Sequence, residues 1–307
     1  MFATHRLSTF GSVPVFTFVL FALAVSLHAG DAATSAPKSI VAALQPFVDS
    51  NTLAGAVTVV ATKEKIVSLE TVGYADIAAK APMKEDTLFW IASMSKPITG
   101  AALMILVDEG KVNIDDPVEK YLPEYKNQVM IEKKENQVFV RKPARVITVR
   151  DVMSHTSGLP FMSRIESKID SYTLSESAIS YALTPLTHEP GSKWVYSNAG
   201  INTGGRIIEV VSGMPFDQFV EKRLFIPLGM KDTTFWPSES RLKQLAKCYK
   251  PNAAKNGLEE TPIQYFTYPL HERKRHICPG GGYFSTARDV ATFGRMVLNG
   301  GEFDGKR

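Results

Sequence analysis

Ser93 and Lys96 stand three residues apart, a hydroxyl and an amine that a helix beginning here would set on one face within contact distance. A hydroxyl beside a group able to manage its proton is a nucleophile with its activator. Tyr196 and Asn198, in Tyr196-Ser197-Asn198, add a phenol able to exchange a proton with Ser93 and an amide able to hold a substrate carbonyl. For that phenol to act as a base near neutral pH its ordinary pKa of about 10 has to fall, and an ammonium such as Lys96 would lower it. Both patterns are short and both recur, in Ser35 with Lys38, Ser240 with Lys243, and Tyr125 with Asn127. Of these, only Ser93 heads an apolar helix and only Tyr196 leads directly into one.

The elements around these residues have to position them. From Ser93 to Gly110, Pro97 falls in a first helical turn, where its missing N–H costs nothing. Ile98, Ala101, Ala102, Ile105 and Leu106 recur at helical spacing, and Gly110 supplies the stop. A second helix, Ala199 to Val211, carries Ile201, Ile207, Ile208 and Val211 and is expected to pack on the first, with Gly204-Gly205 allowing close approach. Upstream, a short amphipathic helix over Ala42–Val48 precedes a hairpin of Ala54–Thr62 with Lys65–Gly73, turned at Lys63-Glu64. Tyr74 to Lys84 reads as a polar connection. Val138–Val140 and Val146–Val149 are expected to pair as a peripheral hairpin. Thr148 to Asp151 opens a brief helix that breaks at Ser154-His155-Thr156-Ser157-Gly158. His155, in that turn, is expected to hold backbone groups rather than to catalyse. Further helices are expected over Ser175–Leu183, Pro215–Leu224 and from Thr286 to Asn299, with Ala246–Thr267 as a long irregular crossing.

The chain has 307 residues, of which 44% are hydrophobic and 21% charged, enough for one large domain or two closely packed ones. A net charge of +4 with scattered basic residues argues against a nucleic-acid partner. His5 and Arg6, an apolar run from Val13 to Leu27 and small residues through Ala33 follow the plan of a secretory signal, cleaved between Ala29 and Ala33. The competing reading is an uncleaved anchor, although the run is short of the roughly 20 residues a span needs. Either way the domain faces outside, periplasmic or secreted, with residues 1–33 as signal, 34–307 as the domain and no stable span after cleavage. Cys248 and Cys278 can pair in such a compartment or remain two separate thiols. No Cys and His spacing suggests a metal, and His271 and His276 are too solitary to be ligands.

Four stretches carry a resemblance. Trp90-Ile-Ala-Ser-Met-Ser-Lys-Pro97, Ile147 to Leu159, Pro190 to Asn198 and Gly281 to Asp289 occur in the order and spacing seen in class C β-lactamase-like serine hydrolases, a family of β-lactamases, D-alanyl-D-alanine carboxypeptidases and esterases. The resemblance runs over roughly residues 40 to 307. It implies an α/β (α+β) fold like that of β-lactamases and penicillin-binding proteins, a helical domain on an antiparallel sheet. It also implies Ser93 as acylated nucleophile, Lys96 and Tyr196 sharing the proton traffic, and Asn198 touching the acyl part of the substrate. The substrate would be an ester, a β-lactam or a peptidoglycan-derived peptide, with no metal or organic cofactor. In this family a Lys-Thr-Gly or His-x-Gly strand beside the nucleophile also supplies an oxyanion N–H. No such tripeptide follows Asn198, so the resemblance implies a chain truncated before its last strands. Loss of one such donor costs about 3–4 kcal/mol of transition-state stabilisation, and Gly280 to Gly282 are the first place to look for another backbone N–H facing Ser93. The reading from another class is a non-catalytic remnant that captures acyl ligands without turning them over.

Overall fold

The chain enters on α1 (Ile40–Asp49), which accommodates Pro46 in its interior, and continues into the hairpin β1 (Gly55–Ala61) and β2 (Ile66–Asp76). These two strands pair antiparallel from Gly55 opposite Gly73 to Ala61 opposite Ile66, with a bulge at Val60/Ala61. The structure is a computed structural model and describes residues 39–307, apart from residues 136 and 268. The leader expected over residues 1–33 lies outside them. Where the sequence suggested only a polar connection, β2 runs on to Asp76 and a turn brings β3 (Ala81–Pro82) back against Tyr74 and Asp76. The sheet order is β1-β2-β3.

After β4 (Phe89–Trp90) and a 3-10 turn comes α2 (Ser95–Asp108). Two more 3-10 turns lead to the hairpin β5 (Met130–Lys134) and β6 (Gln137–Arg141). This corrects the expected pairing of Val138–Val140 with Val146–Val149. Met130 faces Arg141 and Lys134 faces Gln137, because a short turn between adjacent strands closes a smaller loop, and Val149 is drawn instead into α3 (Val149–Met153). The capping box of α3 is complete. Asp151 takes the place usual for Glu, its carboxylate accepting from the Thr148 N–H while Thr148 Oγ1 accepts from the Asp151 N–H.

The remaining helices are α4 (Leu174–Ala182), α5 (Asn198–Ser212), α6 (Phe216–Val220), α7 (Ile226–Leu228), α8 (Glu239–Leu242) and α9 (Ala287–Leu298). A π-helical turn, Glu221–Phe225, joins α6 to α7. The segment expected to be an irregular crossing holds a hairpin, β7 (Cys248–Pro251) with β8 (Leu258–Thr261), and β9 (Phe284–Ser285) pairs with β4. Those strands are four and two residues long, with Pro and charged residues among them, and no alternating apolar run announces them.

The core forms where α2 and α5 cross. Ile98, Ala102, Leu103 and Leu106 of α2 and Ile207 and Ile208 of α5 are almost wholly shielded from solvent, each aliphatic side chain contributing about 1.5–3 kcal/mol of burial. The glycines of α5 serve a contact other than the one expected. A Cβ on Gly200 would lie 2.5 Å from the carbonyl oxygen of Val152, one on Gly204 would meet the Met153 sulfur, and one on Gly205 would lie 2.5 Å from Pro279 Cγ. Close approach is therefore to α3 and to the Pro279 loop, not to α2. Gly200→Ala is expected to cost about 2 kcal/mol, because a backbone carbonyl cannot yield. Gly204→Ala meets only the end of a flexible thioether and gains helix propensity, so its change should stay within about 0.5 kcal/mol. Urea midpoints of the two variants separate these outcomes.

Candidate active site

Ser93 lies at the centre of the 3-10 turn Ala92–Met94, entered through Ala92 at φ 44°. A left-handed conformation costs a residue with a Cβ roughly 1–2 kcal/mol, so neighbouring contacts have to impose it. They are present. The Ile91 N–H donates to the Tyr283 carbonyl at 3.0 Å, Trp90 Nε1 donates to the Gly281 carbonyl at 2.7 Å, and Ser95 Oγ donates to the Ala92 carbonyl at 2.6 Å. The bend leaves Ser93 exposed while Lys96, one turn on, is buried.

Lys96 Nζ donates to Ser93 Oγ at 3.0 Å and to the Gly280 carbonyl at 2.5 Å, and it lies 4.6 Å from the centre of the Tyr196 ring. The Tyr196 hydroxyl lies near enough to Lys96 and Ser93 for both to act on its ionisation. Burial by itself would raise the phenol's pKa, but the polar side chains of Lys96 and Ser93 and the Lys96 charge prevail and hold it below its ordinary value. The three groups singled out from the sequence are thus one contiguous cluster.

Tyr196 reaches Ser93 because the cap of α5 fixes the chain immediately after it. Ser197 Oγ accepts from the Gly200 N–H at 3.0 Å and donates to the Pro160 carbonyl at 2.6 Å, and the Asn198 and Ala199 N–H groups both donate to the Phe161 carbonyl. The phenol ring is flanked by His155 at 4.6 Å, Trp194 at 6.0 Å and Phe161 at 6.2 Å between centroids. His155 does what its turn suggested. At φ 62° its backbone bends, and its Nδ1 accepts the Ser197 N–H at 3.1 Å, which places the single proton of the neutral ring on Nε2.

That acceptor role requires a neutral imidazole. Burial, and then the Lys96 charge, lower the His155 pKa, and burial lowers that of His188 as well. A histidine with a depressed folded pKa supports the fold above its unfolded value and loses that support as pH falls through the folded one. Urea stability is therefore expected to decline as pH drops below about 6.5. In His155→Gln, part of that acid dependence should disappear.

Asn198 occupies the first turn of α5, buried, with its Oδ1 lacking any hydrogen-bond partner. That oxygen would stand 3.3 Å from a Cβ placed on Gly280. Asn198 therefore flanks the cluster by way of Gly280. Gly280 to Gly282 offer Ser93 no N–H. Gly280 N–H donates to Asn202 Oδ1 at 3.0 Å, and those of Gly281 and Gly282 donate to the Cys278 carbonyl at 3.1 and 2.8 Å. A tight turn after Cys278 turns all three inward, so none is directed at Ser93, and what this loop offers the site is the carbonyl oxygen of Gly280. Asn202 and Thr99, whose Oγ1 donates to the Pro279 carbonyl at 2.9 Å, were not anticipated. Their signal was positional: Asn202 lies one turn beyond Asn198 and Thr99 one turn beyond Lys96. Cys248 and Cys278 are separate thiols, and burial pushes the Cys278 thiol up to about 12.

A model of the family described as Beta-lactamase matches residues 40–307. The chain belongs to the β-lactamase family. Among its curated relatives, a protein of Mycobacterium tuberculosis is 35% identical over 87% of this chain and 67% of its own length. Esterase EstB of Burkholderia gladioli is 32% identical over 78% of this chain and 64% of its own. A putative D-alanyl-D-alanine carboxypeptidase of Salmonella agona is 30% identical over 71% and 52%. The chain thus spans about half to two thirds of the length of these relatives. In fold it is similar to EstCE1, a hydrolase with promiscuous acyltransferase activity. That likeness has a TM-score of 0.72 and 24% identity, and it covers 85% of this chain and 72% of the other. It is also similar to the octameric penicillin-binding protein homologue of Pyrococcus abyssi, with a TM-score of 0.63, 25% identity and coverage of 84% and 55%. The mixed helical and antiparallel β architecture is accordingly that of β-lactamases and penicillin-binding proteins. Among the described residues no helix is long and apolar enough to cross a membrane.

Proposed function

We propose that this β-lactamase-family chain is a serine hydrolase that forms an acyl-enzyme on Ser93 from an ester, a β-lactam or a D-alanyl-D-alanine-type amide, acting in the periplasm or as a secreted protein. One observation carries the reading. A single ammonium, Lys96, bonds the candidate nucleophile at 3.0 Å and lies 4.6 Å from the ring of Tyr196, a phenol of lowered pKa. The periplasmic or secreted setting rests on the charged, apolar and small-residue order of the N-terminal sequence.

In this mechanism the ionised Tyr196 oxygen, stabilised by Lys96, takes the Ser93 hydroxyl proton as Oγ attacks the substrate carbonyl. The tetrahedral intermediate collapses, and the phenol returns that proton to the departing alkoxide or amine. Water, deprotonated by the same phenolate, then attacks the ester on Ser93, and the released proton restores the serine hydroxyl. Asn198 would contact the acyl portion through its amide.

The inward-turned N–H groups of Gly280 to Gly282 give an oxyanion no support in either step, and because the ester on Ser93 is less activated than an aryl ester or β-lactam, they favour a second reading, in which acylation occurs but turnover does not. Stopped-flow hydrolysis of p-nitrophenyl butyrate distinguishes them. One equivalent of nitrophenol followed by steady release supports the hydrolase. A single equivalent with no further release supports acyl capture, and no burst or turnover at all contradicts both.

A further inference from the structure

Around Lys96 stand Ser93 Oγ, the Tyr196 phenol and the Gly280 carbonyl, and its ammonium donates to the first and the last. The first two change partners or protonation during the proposed reaction, so the Gly280 carbonyl is the fixed post from which the ammonium works. What fixes Gly280 is a buried polar chain leading away from the site. Its N–H donates to Asn202 Oδ1 at 3.0 Å. The other end of that amide, Asn202 Nδ2, donates to the Tyr181 hydroxyl at 3.0 Å, and Tyr181 donates to Glu166 Oε1 at 2.5 Å. Glu166 in turn accepts the Ser163 N–H at 2.8 Å through Oε2, and Ser177 Oγ at 3.3 Å through Oε1.

This chain has a direction. A carboxylate can only accept, so Tyr181 has to donate to it. Burial, and then the Glu166 charge, push the Tyr181 phenol well above its ordinary range, which keeps its proton in place. A hydroxyl committed as a donor to Glu166 offers Asn202 only an acceptor, so the amide has to present Nδ2 to it and Oδ1 to Gly280. Asn202 and Tyr181 are both buried, and reversing the amide would set two donors face to face at Gly280 and two acceptors face to face at Tyr181.

From this we infer that Glu166, through Tyr181 and Asn202, is a positioning residue for the Gly280 carbonyl and hence for Lys96. It touches none of Ser93, Lys96 or Tyr196. The inference rests on the proposed acylation of Ser93, and it assigns a role to three residues that the sequence patterns did not mark.

Glu166→Gln tests the direction of the chain with almost no change of shape. The amide nitrogen has to face either the Ser163 N–H or the Tyr181 hydroxyl. In the first case two donors meet at Ser163; in the second Tyr181 donates towards Asn202, whose amide turns and presents Nδ2 to the Gly280 N–H. Tyr181→Phe cuts the chain outright, and Ser177→Ala removes a side contact and leaves the chain's direction intact. Acylation of the full chain by p-nitrophenyl butyrate is followed in a single turnover well below each variant's melting temperature, with circular dichroism to confirm folding. The expected result is acylation about 10-fold slower in Glu166→Gln and Tyr181→Phe at unchanged half-saturating ester concentration, with Ser177→Ala within about twofold of the parent. If Glu166→Gln fails to fold, Tyr181→Phe decides. Folded variants that acylate within about twofold of the parent overturn the inference, even if their melting temperatures fall, since a purely structural role predicts that pattern. Failure of the parent chain itself to acylate would count against the proposed function, a separate outcome.

Discussion

Tyr196→Phe is expected to slow acylation of Ser93 by about 10³-fold, some 4 kcal/mol of activation free energy, with little change in substrate binding. The substitution keeps the ring in its setting of His155, Trp194 and Phe161, so the fold and the wall of the site persist. What it removes is the phenol oxygen, whose pKa Lys96 and Ser93 lower. Without it, Ser93 has only Lys96 as a proton partner, and an ammonium already donating to Ser93 and Gly280 has no lone pair to receive a proton. Single-turnover kinetics across pH measure the effect. In the parent, the rate should rise with pH and level off below the usual phenol range, because the Tyr196 pKa is lowered; in Tyr196→Phe that rise should vanish. A variant acylating at near parental rate would remove Tyr196 from the proton path.

The second large effect is on stability and arises far from Ser93. Asp170 and Arg275 form an ion pair at 3.4 Å with both side chains almost wholly excluded from water. Asp170 accepts the Thr267 N–H and hydroxyl. Arg275 donates to the carbonyls of Leu270 and Phe235 and lies over the rings of Phe266 and Phe284. Asp170→Ala leaves a buried guanidinium without its counter-ion and is expected to cost about 3–5 kcal/mol. Replacing both partners, Asp170→Leu with Arg275→Met, should cost considerably less, because no uncompensated charge stays inside. Urea unfolding of the single and double variants makes the comparison. Equal losses in the two would mean that packing, not charge, holds this segment. The pair anchors the stretch that goes on to Pro279 and Gly280, so the single variant should also lose activity at lower temperature than the parent.

How far the sequence anticipated these features depends on the range of the interaction involved. Ser93, Lys96 and the helix that follows were legible because the apolar repeat from Ile98 to Leu106 and the stop at Gly110 are local signals, and the start of α5 at Asn198 followed from the apolar run behind it. The hairpin β1–β2 was legible for the same reason. The pairing of β4 with β9 was not, since it joins Trp90 to Phe284 across most of the chain and involves two residues on each side. The hairpin β5–β6 was misassigned because valines on both sides of Pro143 look alike, and proximity in sequence decided the pairing. At the site, the side chains were predicted and the backbone was not. That Gly280 contributes its carbonyl rather than its N–H depends on the direction of one tight turn and on a distant asparagine. No glycine run announces either.

The most direct measurement is the mass of the Ser93 peptide after rapid mixing with p-nitrophenyl butyrate and acid quench. The account predicts a butyryl adduct on Ser93 in the parent chain and its absence in Ser93→Ala. An adduct on any other residue, or none on a folded chain that still releases nitrophenol, would contradict it.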